Sequence, residues 1–133
     1  MSGGGFLIEP ARYPGRAPID SYGNGGFRFA DMSHRGSLLA LPSGIESWAV
    51  ASVEEITPQS LARILDEAGG IEVLLVGTGE TRRPLPGPAT SALRAAGLWP
   101  ELMSTGAAVR TYNVLLSEER AVAAAFIAVE ANR

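Results

Sequence analysis

Residues 71–80 read IEVLLVGTGE, an apolar run rich in Val, Leu and Ile that follows Gly69 and Gly70 and ends in a Gly-Thr-Gly turn. A short continuous apolar run bounded by glycines is typical of a strand that is buried on both faces. Open α/β sheets form their clefts at the carboxyl ends of such strands. We therefore predict that this segment is the central strand of a sheet covered by helices, with the glycine turn at a cleft.

Helix and strand patterns alternate around this strand. Before it, apolar residues at positions i, i+3, i+4 and i+7 from Leu61 predict a helix that Thr57 caps. After it, the sequence predicts a helix over residues 88–96, a short strand, and a further helix that starts at Thr105 or Gly106. The apolar residues 121–129 fit either a strand or a helix, and the alternation favours a closing strand.

The N-terminal part of the chain is richer in turn signals. Residues 1–18 contain three consecutive glycines and three prolines, so we expect an irregular arm there and a single domain over residues 19–133. Two short aromatic segments flank the GNGG turn at residues 23–26 and predict a β-hairpin. Further strands are predicted at residues 37–41 and 48–52.

The composition excludes several classes of function. The chain of 133 residues has 46% hydrophobic and 19% charged residues, values typical of one globular domain. Every basic residue is Arg, so Schiff-base chemistry and a phosphate loop with its usual Lys are excluded. Cys is absent and His34 is the only His, which excludes zinc sites built from Cys or several His. We expect no metal and no cofactor.

Charge and hydropathy give expectations for partners and location. The formal net charge of −3 argues against a general nucleic-acid-binding protein. No window approaches the roughly 18 apolar residues that a membrane-spanning helix needs. The N-terminal residues contain no apolar segment of signal-peptide length, so we expect a cytoplasmic protein.

The first stretch that could carry chemistry is Gly77-Thr78-Gly79-Glu80. Glycines after a buried strand allow backbone N–H groups to approach a phosphate or carboxylate. The third glycine of the dinucleotide fingerprint is missing, because Arg82 occupies that position. The alternative interpretation is a tight turn whose glycines relieve backbone strain.

The second such stretch is STGAAVRTYN, residues 104–113, which contains the start of the helix predicted from Thr105 or Gly106. The first turn of a helix offers free N–H groups to an anion, and Arg110 and Asn113 could add side-chain contacts. In the alternative interpretation, Thr105 caps the helix, Gly106 permits close packing, and Asn113 bonds to a neighbouring loop.

No catalytic residues are predicted. Asp31 lies three residues before His34, but there is no G-x-S-x-G motif, and the segment resembles an exposed turn before a strand. The adjacent carboxylate pairs are interpreted as solvated surface.

The order of these motifs resembles a known family. The run VLLVGTGE, a proline-rich loop and helix, and then MSTGAAVRTYNVLLSEERAVAAAFI are similar to small single-domain proteins of bacteria and archaea. This family includes a mitochondrial assembly factor for respiratory complex I, the third in the usual numbering. The resemblance spans approximately residues 19–129. Many relatives have a Cys before the Arg of TGAAVRTYN; Val109 stands there in this chain.

The resemblance implies a three-layer α/β domain with a central mixed sheet whose last strand runs antiparallel to the others. It also implies a helper that binds protein partners of a membrane-associated complex without established catalysis. Residues predicted to be exposed, Trp48, Leu85, Leu98 and Trp99, are candidate contacts. The alternative function is a small-molecule site for an anion or nucleotide-like ligand, built from the two glycine-bearing stretches.

Overall fold

The computed structural model of the protein describes residues 12–130, in which nine strands form two sheets and three α-helices flank the larger sheet. Short 3-10 turns cover Val53–Glu55, Gln59–Leu61 and Ala68–Gly70. The α-helices and strands, in chain order, are β1 (Arg12–Tyr13), β2 (Ser21–Gly23), β3 (Gly26–Phe29), β4 (Met32–Arg35), β5 (Ser37–Leu41), β6 (Gly44–Trp48), α1 (Ala62–Asp66), β7 (Val73–Gly77), α2 (Gly87–Ala95), β8 (Glu101–Met103), α3 (Thr105–Ser117) and β9 (Val122–Phe126).

The larger sheet is mixed and has the strand order β1-β6-β5-β9-β7-β8. Strands β7 and β8 are parallel, as are β7 and β9, whereas β5 is antiparallel to both β6 and β9. The mixed sheet is therefore confirmed, but β9 is not antiparallel to all the other strands. Helices α2 and α3 each connect consecutive strands of the β7–β8–β9 group, and such helical crossovers produce parallel pairing.

Two apolar clusters lie on opposite faces of this sheet. Ile64 of α1 and Leu93 of α2 pack on one face. Tyr112 of α3 packs on the other face together with Phe27 and Phe29 of the smaller sheet. Helices therefore cover both faces, which confirms the predicted three-layer α/β class.

The smaller sheet contains the predicted hairpin and one strand more. Strands β2 and β3 pair around Asn24 and Gly25, which both have positive φ, as the favoured Asn-Gly hairpin turn requires. The segment interpreted as an exposed turn, residues 31–36, is instead mostly β4, paired with β3. Ala30 and Asp31 form the tight turn between them with φ values of 48° and 61°. The sequence signal was weak because alanine rarely adopts this backbone conformation.

The strand of the 71–80 segment is interior but not central in the sheet. Strand β7 lies between β9 and the edge strand β8, and Leu75 and Val76 are buried. The strand predicted at residues 48–52 is wrong in position, because β6 ends at Trp48. The Trp48 indole N–H donates to Ser60 O at 2.8 Å, which ties the end of β6 to the segment before α1.

The predicted N-terminal arm lies mostly outside the described residues, since residues 1–11 are not among them. Arg12 and Tyr13 form the edge strand β1 against β6, and Ala17 is buried. The boundary placed before residue 19 stays a prediction.

Tyr112 makes the stability of the fold sensitive to alkaline pH. Its hydroxyl donates to Ala17 O at 2.9 Å, and burial raises its pKa from 10.0 to about 12. The unfolded state therefore loses this proton first, and stability that is fully present below about pH 10 is lost as the pH rises towards about 12. A shift of two units corresponds to roughly 2–3 kcal/mol.

The chain has no Lys, so few other groups titrate in this window. We expect the urea concentration at the midpoint of unfolding to fall as the pH rises from about 9 to about 11.5. In Tyr112→Phe this midpoint should depend less on pH. The same slope in Tyr112→Phe would assign the effect to other groups.

Candidate functional site

The two glycine-bearing stretches lie side by side at the carboxyl end of β7. Thr105 N–H donates to Gly79 O at 2.8 Å, and Gly79 N–H donates to the Thr105 hydroxyl at 3.1 Å. These reciprocal bonds join the turn after β7 to the first residue of α3. The turn itself requires a glycine, because Gly79 has a φ of +115°.

Gly77 lets the start of α3 pack directly on the end of β7. A Cβ atom at this position would lie only 2.8 Å from Thr105 Cα. Gly77 is buried in this contact and is not among the residues that line the adjacent pocket. Its part in the site is to bring strand and helix together.

The two threonines of the candidate site are buried and fully used by the fold. The Thr78 hydroxyl lies 2.8 Å from Thr81 O and accepts from Arg83 N–H at 2.9 Å. The Thr105 hydroxyl donates to Ile127 O at 2.7 Å. Ser104, rather than Thr105, caps α3, since its hydroxyl accepts from the amide of residue 107. The two threonine side chains therefore stabilise the loops, and any contact to a ligand would come from neighbouring residues.

A pocket of about 90 Å³ opens between these stretches, β2 and the segment after β9. Four predicted site residues line it: Gly79, Glu80, Gly106 and Arg110. Three lining residues are not among the predicted site residues: Tyr22, Ser104 and Val129. Ser104 carried a usable signal, because a serine directly before a helix is a typical N-cap.

Gly106 is needed because Tyr22 reaches across from β2. A Cβ atom on residue 106 would lie 2.3 Å from the Tyr22 hydroxyl and 3.5 Å from one guanidinium nitrogen of Arg110. The phenol and the guanidinium therefore converge above the same glycine. Arg110 is exposed, and no described residue forms an ion pair or hydrogen bond with it within the usual distances.

Asn113 is not part of this pocket. Its side-chain oxygen accepts from Ile19 N–H at 2.9 Å, and its amide nitrogen donates to Ile19 O at 2.9 Å. Both ends of the amide are thus occupied by one backbone residue before β2. Asn113 holds this segment against α3, and the segment leads directly to Tyr22.

Comparison with known proteins assigns the chain to a protein family. Residues 19–127 match the family described as "Protein of unknown function (DUF498/DUF598)". The chain belongs to this family. An uncharacterized protein of Rhodobacter capsulatus is 40% identical over 119 residues, which cover 90% of each chain.

A relative with a described role also matches. The mouse protein NADH dehydrogenase [ubiquinone] 1 alpha subcomplex assembly factor 3 is 32% identical over 117 residues. These residues are 88% of this chain but 63% of the mouse protein, less than two thirds of its length. The resemblance drawn from the sequence motifs is therefore confirmed.

A solved structure shows the same fold in the family. The crystal structure of a Bartonella henselae protein, described as an outer membrane protein, is 54% identical to this chain with a TM-score of 0.84. The similarity covers 89% of this chain and 99% of the other. In the part of our chain that the structure describes, residues 12–130, no helix is both long enough and apolar enough to span a bilayer.

His34 and Asp31 do not form a catalytic pair. His34 lies on β4, and its Nε2 is 3.0 Å from Ser37 O, so this nitrogen carries the proton and donates to the carbonyl. Asp31 occupies the tight turn between β3 and β4. Among residues 12–130, no cluster of three potential metal ligands occurs.

Proposed function

We propose that this protein is a non-enzymatic binding or assembly factor for a respiratory or other membrane-associated complex. The observation that carries the proposal is its similarity, over most of its length, to an assembly factor of NADH dehydrogenase. Family membership transfers the fold more securely than the role, so the role needs its own test. The proposed partners are proteins, the proposed location is the cytoplasm, and cell fractionation tests the location.

Deletion of the gene in the native cell tests the assembly role. Respiratory complex I should decrease on native gels, together with NADH dehydrogenase activity, and the wild-type gene should restore both. Unchanged levels of the assembled complex in the deletion strain would contradict the proposal for complex I.

The surface that best fits a protein partner is the Trp99 surface, which consists of Trp99 and Arg94. Trp99 is 66% exposed, and the Arg94 guanidinium lies 4.9 Å from the centroid of its ring. Two other predicted contacts, Trp48 and Leu98, are wrong because both side chains are buried in the core. Exposed Trp and Arg side chains are enriched among the residues that dominate binding energy in protein interfaces.

Trp99→Ala is expected to weaken partner binding by about 2–4 kcal/mol. Because Trp99 is mostly exposed, its loss should change the free energy of unfolding by only about 1 kcal/mol or less. The measurement is complementation of the deletion strain at matched protein levels, followed by native gels. Val114→Ala is the matched control, since Val114 is 54% exposed on α3. Full complementation by Trp99→Ala would exclude this surface.

A second candidate function is small-molecule binding at the pocket beside Gly79 and Arg110. The observation that favours it is that the two glycine-bearing stretches meet there and that Arg110 is accessible. An NMR screen of carboxylates, phosphates and nucleotides should give hits that disappear in Arg110→Gln.

A further inference from the structure

The turn between β2 and β3 carries an Asn-Gly pair that has no part in either proposed function. Asn24 is exposed, and its side chain is hydrogen-bonded to no residue among 12–130. Asn24 and Gly25 have φ values of 52° and 78°, the left-handed conformation that this hairpin turn needs. Asparagine is one of the thermolabile residues, and a following glycine leaves it most open to attack because glycine has no Cβ atom. The pair is therefore a chemically reactive site on the surface.

The reaction of such a pair is deamidation, and it consumes only water. The backbone nitrogen of Gly25 loses its proton and attacks the side-chain carbonyl carbon of Asn24. A new C–N bond forms, the bond to the side-chain nitrogen breaks, and that nitrogen leaves as ammonia. Water then opens the resulting succinimide ring at either carbonyl, which produces aspartate or isoaspartate at position 24. The Gly25 nitrogen must therefore be free to lose its proton and to turn towards the side chain.

In the native fold, the segment after β9 holds this nitrogen. Gly25 N–H donates to Val129 O at 2.9 Å, and Asn24 N–H donates to Glu130 O at 3.1 Å. On its other side, Gly25 O accepts from Gly36 N–H at 2.7 Å. The attack on Asn24 therefore requires Gly25 to give up its bond to Val129.

We propose that Asn24-Gly25 is a deamidation site that the guard segment, residues 129–130, keeps closed. The site opens when this segment leaves the turn. The guard segment is anchored by one buried side chain, since Val129 is 6% exposed. A short segment held by few bonds opens locally far more often than the whole domain unfolds. The inference goes beyond both proposed functions and depends on neither.

The two products fit the turn differently. Asp-Gly is favoured in the same hairpin turn as Asn-Gly, so aspartate at position 24 should preserve the pairing of β2 with β3. Isoaspartate carries the main chain through the former side chain and lengthens the backbone by one carbon atom. Gly23 pairs with Gly26 directly across the two turn residues, which leaves no room for the extra atom. Isoaspartate should therefore displace the turn from the guard segment.

Incubation of the full chain in mildly alkaline buffer, followed by mass spectrometry, tests the proposal. Trypsin cleaves after Arg16 and Arg28, and Asn24 is the only asparagine between them, so one peptide reports the reaction. Isotopically labelled water identifies the succinimide route, because its oxygen enters the product. Deamidation of the native chain should be about tenfold or more slower than deamidation of the same chain unfolded in urea.

Two alanine variants separate the guard segment from the fold as a whole. Val129→Ala should loosen the guard segment and accelerate deamidation of the native chain several-fold, together with amide hydrogen exchange at Gly25. Val53→Ala is the matched control, because Val53 is also buried but packs in the apolar cluster of α1 and α2. It should leave the rate unchanged, since global unfolding is too rare to carry the reaction. Asn24→Asp should keep the Gly25 amide protected, as expected for the aspartate product.

Several results would overturn the proposal. Equal rates in the native and the urea-unfolded chain would show that the guard segment gives no protection, and absence of reaction in urea would remove the site itself. An unchanged rate in Val129→Ala, or equal acceleration in both alanine variants, would assign the protection to the rest of the fold. Loss of Gly25 amide protection in Asn24→Asp would contradict the fit of aspartate in the turn.

Discussion

Replacing Gly77 with alanine is expected to lower the free energy of unfolding by about 2–3 kcal/mol. The added Cβ atom would lie 2.8 Å from Thr105 Cα and 3.2 Å from Ala108 Cβ. Because the nearest atom belongs to the backbone of α3, side-chain rotation cannot relieve the conflict, and strand and helix must move apart. Alanine is otherwise better than glycine inside a strand by about 0.5–1 kcal/mol, so the steric cost dominates. Urea unfolding measures the effect.

Gly69→Ala is the matched control for this substitution. Gly69 lies in the 3-10 turn Ala68–Gly70, and a Cβ atom built there meets no atom of another segment within 4 Å. The same chemical change should therefore be neutral or stabilise the protein by up to about 1 kcal/mol. Equal stability of the Gly77→Ala protein and the wild type would show that β7 and α3 do not pack as closely as described.

Thr105→Val is expected to cost about 2–4 kcal/mol although it preserves the shape of the side chain. Thr105 is fully buried, and its hydroxyl both donates to Ile127 O and accepts from Gly79 N–H. Valine leaves a buried carbonyl and an amide without their partner, and each unsatisfied group costs about 1–3 kcal/mol. Urea unfolding gives the total cost, and amide exchange at Gly79 reports the loss of its acceptor.

Thr111→Val provides the comparison within the same helix. Thr111 is half-buried on α3, and its hydroxyl has no hydrogen-bond partner among residues 12–130. Its replacement should change the free energy of unfolding by less than about 0.5 kcal/mol. Similar losses in both variants would mean that the helix tolerates valine poorly anywhere, and that the bonds of Thr105 contribute little.

Much of the secondary structure could be predicted because its signals are local. The apolar run of β7, the Asn-Gly turn between β2 and β3, and the helical spacing of α3 all depend on near neighbours in the chain. Strand β4 was not predicted, because its local sequence signal is weak. Its preceding turn places Ala30 in a left-handed conformation that alanine seldom favours, and pairing with β3 outweighs that local preference.

The candidate site was predictable only in part. Residues 79, 80, 106 and 110 belong to two glycine-bearing segments, and their meeting follows from general rules for α/β sheets. Tyr22 and Val129 contribute from segments with no chemical motif, so no local pattern could place them in the pocket. Asn113 fits the alternative interpretation, in which it bonds to a neighbouring loop, because its amide is hydrogen-bonded to the backbone of Ile19.

The sequence by itself determined most of the strands and helices, a buried strand in a sheet covered by helices, and the absence of Lys and Cys chemistry. Those properties follow from residue identity and from periodicity over a few neighbouring positions. Only the tertiary structure decided that β9 inserts between β5 and β7, and that Tyr22 meets Arg110 above Gly106. Such contacts join residues far apart in the chain, and they form because layers bury their apolar faces together, which no short stretch of sequence encodes.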